Sequence, residues 1–472
     1  MQVSSEFVPY AKTGGLADVT GALSRIMVKK GINIISFLPF YKQIDKKTFI
    51  FENLKENLEI PEFKERFSLL KHHNEITNLT TYFIGNEKFF NRDEIYNAYP
   101  DNPERFTFFS KAVLKSLEII NFKPEIIHCH DWQTCAIPIL IKNEIFKPDF
   151  FKNVKTLLTI HNLAFQGIEK KEILQKLGLD DSFFVPEKLE FYEKVNLLKG
   201  GIVYSDFINT VSETYAQEIQ TDELSFGLKK ELTSRKKDLF GILNGIDYEI
   251  WDPQVDKYIW KNYSYETLEN KKYNKNQLRE NLGLTLESVP LIGMVSRITS
   301  QKGFDLIIDI FDKLMNLELQ LVILGKGQPE YHKIFKDFTE KYPKKFVLRH
   351  EFDDFLAHQI EAGSDIFLMP SQFEPCGLNQ MISLKYGTIP IVHEIGGLAD
   401  TIKDIRTNER GNGFMFTEYE SEKLYETIKE ALRVYKEKEI WKKIIQNAME
   451  CDFSWEKSAE KYLNLYKKLI KI

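Results

Sequence analysis

The sequence predicts a doubly wound α/β protein built from two units of the same kind. Three observations lead there. Short runs rich in Ile, Leu and Val recur along all 472 residues. They are almost continuously apolar rather than alternating, which is the pattern of strands buried on both faces of a parallel sheet. Amphipathic segments lie between them, so the order reads β-α-β throughout.

The first set of runs covers residues 32–38, 125–130, 156–160 and 207–211. The second covers 291–295, 319–324, 365–369 and 389–392. Leu16, Val19, Leu23, Ile26 and Met27 keep one helical face, as do Leu306, Ile307, Ile310, Phe311 and Leu314. The Asn244-Gly245 turn closes the first set, and a polar Tyr/Lys/Asn-rich stretch at 252–290 precedes the second. The predicted division is 1–242, 243–454, and a final amphipathic helix at 455–472 with Ala459, Tyr462, Leu463 and Tyr466 on one face.

Composition narrows the function. Hydrophobic residues make up 43% and charged residues 28%, and Lys+Arg 64 against Asp+Glu 69 leaves a net charge of −5. That balance argues against a protein held on nucleic acid by bulk charge. Cys129, Cys135, Cys376 and Cys451 form no Cys-x-x-Cys pair, which fits a reducing cytoplasm. His128 and His130 flank Cys129 on a strand, so the two imidazoles share a face that the thiol does not; no metal is expected. No signal peptide is visible at Met1–Glu6, and no apolar stretch approaches the ~18 residues of a membrane span.

Ligands of open α/β sheets bind at the carboxyl ends of the strands, and five such places carry chemistry. Lys12-Thr13-Gly14-Gly15 precedes a helix, where backbone N–H groups, the helix N-terminus and a lysine favour an anion; a plain βα turn explains it equally well. Asp131-Trp132 suits sugar hydroxyls and a sugar ring face, or a helix cap. His161-Asn162 emerges from a buried strand, either as site residues or as satisfied structural ones. Arg297 and Lys302-Gly303 bring two cations and a helix start together, an anion site rather than solvated surface charge. Glu374-Pro375-Cys376-Gly377-Leu378 sets a carboxylate beside a glycine at a helix start, and Gly396-Gly397-Leu398 follows. No Asp-x-Asp occurs, so positive side chains rather than a carboxylate-bound metal would neutralise a diphosphate.

Together these motifs resemble the bacterial glycogen synthases and plant starch synthases. The resemblance runs from Ser4 to the tail. It is carried by Lys12 to Val19, Tyr99-Pro100-Asp101-Asn102, Glu104-Arg105-Phe106, His130-Asp131-Trp132, His161-Asn162-Leu163, Asn244-Gly245-Ile246-Asp247, Ser296-Arg297, Gln301-Lys302-Gly303, Phe373 to Leu378 and Gly396 to Asp400. The resemblance implies the GT-B fold, two Rossmann-like domains facing a cleft, with the final helix returning to the N-terminal domain. It implies glucose transfer from ADP-glucose to an α-1,4-glucan (glycogen) with retention of configuration. It assigns Arg297 and Lys302 to the distal phosphate and Glu374 to the glucose hydroxyls, aided by the backbone of Cys376, Gly377 and Leu378. It places His161 beneath the transferred sugar. Lys12, Gly14, Gly15, Asp18 and Asn244 fall on the donor side, and Asp131, Trp132 and Asn162 on the acceptor side. No cofactor or metal is implied.

The chain departs from the family pattern at Gln372, Gln359, Ile395 and the pair Glu351-Phe352, where the family has Arg, Arg, Thr and Gly-Tyr. These positions leave ADP-glucose and UDP-glucose both open, and with them a weakly catalytic glucan-binding relative. A glucan phosphorylase lacks support, since no lysine context suggests pyridoxal phosphate. Only three residues precede Ser4 where the family has a full strand, so a shortened central strand is expected, from a misassigned start or a lost segment.

Overall fold

A computed structural model of the chain describes residues 1–96 and 99–471. It divides into two compact units: Met1–Asn244 with the segment from Trp455 onward, and Gly245–Ser454.

In chain order the first unit contains β1 (Gln2–Val3), β2 (Ile35–Pro39), β3 (Glu52–Ile60), β4 (Glu65–Asn74), β5 (Leu79–Gly85), β6 (Ile126–His130), β7 (Lys155–Ile160), β8 (Ile168–Glu169), β9 (Glu190–Phe191), β10 (Lys194–Asn196), β11 (Phe207–Thr210) and β12 (Leu239–Gly241). Nine of them form one sheet in the order β12-β11-β7-β6-β1-β2-β5-β4-β3. From β5 to β12 the neighbours are parallel, whereas β3 and β4 add an antiparallel edge. The parallel part has the doubly wound order, and its strand order reverses between β1 and β6. β1 is two residues long yet pairs on both sides: Val3 stands opposite Phe37 and Cys129.

The second unit contains β13 (Leu291–Val295), β14 (Gln320–Leu324), β15 (Phe346–Arg349), β16 (Ile366–Met369), β17 (Ile389–His393) and β18 (Phe414–Phe416). Their order is β15-β14-β13-β16-β17-β18, all parallel. This is the 3-2-1-4-5-6 arrangement of dinucleotide-binding folds, with its switch point between β13 and β16.

The apolar runs become these strands because they are buried on both faces: every residue of β14 and β17 is buried. The run predicted at 32–38 begins later, at Ile35, because Ile32 lies 40% exposed outside the sheet. The helix Gly15–Lys29 buries the predicted stripe of Leu16, Val19, Leu23, Ile26 and Met27. The single helix expected through Leu306 to Leu314 is instead two, Phe304–Asp309 and Phe311–Met315, broken at Ile310. Beyond the break, Phe311 stacks on Phe338 with centroids 3.9 Å apart, so ring packing prevails over helical continuity. The last helix, Trp455–Ile470, buries Trp455, Ala459, Tyr462, Leu465 and Leu469 in the first unit's core.

Candidate active site

In the second unit, two loops leave the carboxyl ends of β13 and β16, the strands that flank the switch point. The β13 loop carries Arg297, then the 3₁₀ turn Ser300–Lys302. It ends at Gly303, whose φ of 74° is left-handed. A Cβ there would lie 2.0 Å from the carbonyl oxygen of Pro370 in the β16 loop. Only glycine admits this approach. Gln372 N–H donates to Gln301 O at 2.9 Å and Gln301 Nε2 to Phe373 O at 3.2 Å, so the loops are laced together.

This lacing brings Lys302 onto Glu374. Lys302 Nζ lies 2.5 Å from Glu374 Oε2, and Ser371 Oγ donates to the same oxygen at 3.0 Å. The side chains are 16% and 8% exposed. Arg297 leaves the same strand end exposed and, among the described residues, pairs with no carboxylate. An exposed guanidinium on the same loop as a half-satisfied ammonium suits an anion with several oxygens.

The Glu374 loop is held by the start of the helix Gly396–Thr401. Gly397 N–H donates to Glu374 O at 3.1 Å, and a Cβ on Gly397 would meet Cys376 O at 2.0 Å. Gly377 has a φ of 69°, and Leu378 opens the helix Asn379–Lys385. Lys302, Glu374, Cys376, Gly377 and Leu378 are therefore one constellation. The Cys376 thiol is buried.

In the first unit the corresponding strand ends are those of β1, β6 and β7. Glu6 follows β1, and sequence reasoning did not single it out for this role. Its carboxylate accepts from Thr13 N at 2.5 Å, Thr13 Oγ1 at 2.8 Å, Gly14 N at 3.1 Å and Tyr96 Oη at 2.7 Å. Burial raises its pKa, opposed by these donors. The N–H groups of Thr13 and Gly14, which the sequence suggested for a phosphate, thus hold a carboxylate of the chain itself. Lys12 projects beyond them and pairs with Asp18 at 3.0 Å, both half-exposed. Gly15 is the first residue of the following helix. The signal for Glu6 was present, a carboxylate at a strand end, but β1 is too short to read as a strand.

Asp131 follows β6 with φ 56° and ψ −178°, a region costly for any residue but glycine. Its carboxylate accepts from His161 N–H at 2.7 Å, and it makes no helix-capping bond. Burial pushes it up to about 7, opposed by the N–H groups of His161 and Asn162. Asn162 Oδ1 caps Ala164 N at 3.0 Å. Asp131 therefore fixes the loop that carries His161.

Trp132 corrects the sequence expectation of a ring face offered to a sugar. The residue is 8% exposed, its ring meets Phe106 edge-on, and a Cβ on Gly167 would lie 2.2 Å from it. An indole is drawn into apolar surroundings when a glycine opposite leaves room.

His128 and His130 share a face as expected, with ring centroids 4.2 Å apart. Their nitrogens are bonded to Tyr466, Thr159, His161 and Gln2. Among the described residues no group of three or more His, Cys, Asp or Glu could hold a metal ion. Asn244 closes the first unit, buried, with Oδ1 lacking a hydrogen-bond partner. A buried orphan acceptor is a place for a ligand hydroxyl or amine.

Of the family departures, Gln359 is buried and lines a cavity of about 340 Å³ with Trp260, Gln277, Glu280, Asn281 and Phe355. Glu351 lines an adjoining one of about 170 Å³ with Arg349 and Asp353. Phe352 stands 70% exposed after β15.

Two nucleotide-binding-type units with cations at a switch point define a GT-B glycosyltransferase. The profile described as "Starch synthase catalytic domain" matches residues 1–234, and "Glycosyl transferases group 1" matches 276–448. The glycogen synthase of Geotalea uraniireducens is 44% identical over 471 residues, covering 98% of this chain and 97% of that one. That of Thermosipho melanesiensis is 44% identical, covering 99% and 98%. The catalytic domain of starch synthase IV from Arabidopsis thaliana, bound to ADP and acarbose, superposes with a TM-score of 0.93 at 33% identity, covering 100% and 99%. Sucrose-phosphate synthase from Thermosynechococcus elongatus shares the fold at a TM-score of 0.63 and 15% identity. The chain belongs to the family of glycogen and starch synthases and is a hexosyltransferase. No helix among the described residues is long and apolar enough to cross a membrane.

Proposed function

We propose that this protein transfers glucose from ADP-glucose to the non-reducing end of an α-1,4-glucan, in the cytoplasm, with retention and without a metal or cofactor. The observation that carries the reading is the Lys302–Glu374 pair at the β13/β16 switch point, with Arg297 exposed on the same loop as Lys302. The starch synthase of similar structure holds ADP and acarbose, a nucleotide and a glucan-like ligand, which supports the same two ligand classes here.

The chemistry asks for stabilisation of a departing nucleoside diphosphate. Arg297 and Lys302 supply fixed positive charge for it, and losing one such contact would raise the barrier by on the order of 3 kcal/mol. Glu374 accepts hydrogen bonds from hydroxyls of the transferred glucose, while Cys376, Gly377 and Leu378 offer backbone. Lys12, Asp18 and Asn244 serve the donor side. His161 supplies its carbonyl to the electron-poor anomeric carbon, and Asp131 and Asn162 hold its loop. Glu374 is ion-paired and accepts from Ser371, which makes it a poor nucleophile. The acceptor hydroxyl therefore attacks on the face the phosphate leaves, giving up its proton to the departing phosphate oxygen. A covalent glucosyl adduct trapped on Glu374 would overturn that route.

The donor is tested by competition. With glycogen as acceptor, turnover of radiolabelled ADP-glucose should persist in the presence of equimolar UDP-glucose. Suppression of ADP-glucose turnover by UDP-glucose would move the assignment to the uridine donor.

A further inference from the structure

The polar interior between β1, β6, β7 and the last helix forms one unbroken chain of hydrogen bonds that ends on His161. Its links are His161 Nε2 to His130 Nδ1 at 2.9 Å, His130 Nε2 to Gln2 Oε1 at 2.6 Å, and Gln2 Nε2 to Tyr466 Oη at 3.2 Å. From Tyr466 it continues to His128 Nδ1 at 2.8 Å, and from His128 Nε2 to Thr159 Oγ1 at 2.5 Å. Thr159 Oγ1 donates to Asn209 Oδ1, and Asn209 Nδ2 to Tyr462 Oη at 3.3 Å.

Donor chemistry allows this chain one direction. Gln2 Oε1 can only accept, so His130 carries its proton on Nε2 and offers a bare Nδ1. His161 must then carry its own proton on Nε2 and keep Nδ1 as a lone pair. At the other side Gln2 Nε2 donates to Tyr466, which leaves the tyrosine proton for His128 Nδ1. His128 then holds its proton on Nε2 for Thr159. Burial holds all three imidazoles neutral: His161 is pushed down to about 3, and His128 and His130 well below their usual value.

Asn209 Nδ2 donates to Thr210 O at 3.1 Å, so Asn209 Oδ1 takes the Thr159 proton and fixes this direction, and the tyrosine hydroxyl passes it on to the Gln2 amide. Were that amide turned over, its N–H₂ would face His130 Nε2. His130 would carry its proton on Nδ1 and force His161 to protonate on Nδ1 instead. We propose that Tyr466 and Gln2 are positioning residues that fix the tautomer and ring orientation of His161, so that packing of the last helix sets the geometry of the sugar-side loop. This rests on the reading of His161 as a sugar-side residue. The helix contributes no atom to the chemistry; it acts through Gln2 and His130.

The test is ¹⁵N NMR of histidine-labelled protein, with His161 assigned by substitution, alongside steady-state kinetics of the full chain. In the wild type at neutral pH, His161 should be a single Nε2–H tautomer. Tyr466→Phe should populate both tautomers and lower kcat by about tenfold or more, with little change in KM for the nucleotide sugar. Tyr462→Phe removes a hydroxyl from the same helix at the far end of the chain, and should leave tautomer and kcat as in the wild type. A wild-type His161 protonated on Nδ1 overturns the proposal without any variant. So does a Tyr466→Phe protein that keeps the single Nε2–H tautomer. Mixed tautomers with an unchanged kcat would overturn the positioning role, whereas a wild type that transfers no glucose would overturn the reading of His161 as a sugar-side residue.

Discussion

Lys302 Nζ and Glu374 Oε2 face each other at 2.5 Å across two loops that meet at the switch point of the second sheet. Neither residue is near the other in sequence; 72 positions separate them. The pair exists because Gly303 lets its loop lie against the Pro370 carbonyl. In the proposed reaction Lys302 turns its charge toward a phosphate, and Glu374 exchanges an ammonium for sugar hydroxyls.

The pair predicts a coupled loss. Lys302→Ala leaves a carboxylate 8% exposed without its cation. It should lower kcat/KM about 100-fold or more. Unfolding of Lys302→Ala, Glu374→Ala and the double variant in urea should give a coupling of on the order of 1–3 kcal/mol. Additive losses would show that the two groups do not interact.

Two glycines separate backbone strain from crowding. Gly303 and Gly283 have φ of 74° and 73°. A Cβ on Gly283 meets nothing within 4 Å, whereas one on Gly303 meets Pro370 O at 2.0 Å. Gly283→Ala should cost about 1 kcal/mol. Gly303→Ala must also push the β16 loop, so it should cost roughly 2 kcal/mol more and take activity with it. Equal unfolding free energies would refute the crowding.

The Asp131 carboxyl gives a pH signature. Burial raises it from 3.8 to about 7 in the folded protein. Between those values the folded state holds a proton that the unfolded state has released. The stability this group contributes is therefore full below pH 3.8 and falls as pH rises toward 7, by about 1.4 kcal/mol per pH unit. Asp131→Asn stays neutral and keeps an acceptor for His161 N–H. It should be more stable than the wild type at pH 8 and nearly equal to it at pH 4, as read by urea unfolding. The same difference at both values would contradict a raised carboxyl.

Phe352 offers an exposed ring on which the base of the proposed donor could stack. It stands exposed where the family has the Tyr of a Gly-Tyr pair. Stacking of a base on an aromatic ring is worth about 1–3 kcal/mol. Phe352→Ala should weaken ADP binding about tenfold by calorimetry, and Phe352→Tyr should preserve it. Unchanged affinity in Phe352→Ala would remove the residue from the donor site.

Much of this architecture was legible in the sequence, and the failures are instructive. The strands of both parallel cores announced themselves because burial on two faces demands unbroken Ile, Leu and Val; 291–295 reads directly as β13. The edge strands β3 and β4 did not, because a half-exposed antiparallel pair tolerates Glu52, Lys55 and Glu56 among its residues. Arg297, Lys302 and Glu374 could be found as charges at strand ends. Their pairing could not, since it depends on a glycine contact across 67 positions of chain, from 303 to 370. Trp132 was misread because nothing in its neighbourhood in the sequence shows that Gly167 makes room for its ring. The line from Gln2 through Tyr466 and His130 is hidden for the same reason: His130 and Tyr466 are visible on a strand and a helix face, but only the fold joins them through Gln2.

Release of nucleoside diphosphate by the purified protein with ADP-glucose and glycogen, beside Lys302→Ala and Glu374→Ala, shows whether the Lys302–Glu374 pair drives glucose transfer. The wild type should release ADP in a glycogen-dependent way, and both variants should lose this release while remaining folded. A folded wild type that binds glycogen but releases no ADP, or variants that release it at the wild-type rate, would contradict this role of the pair.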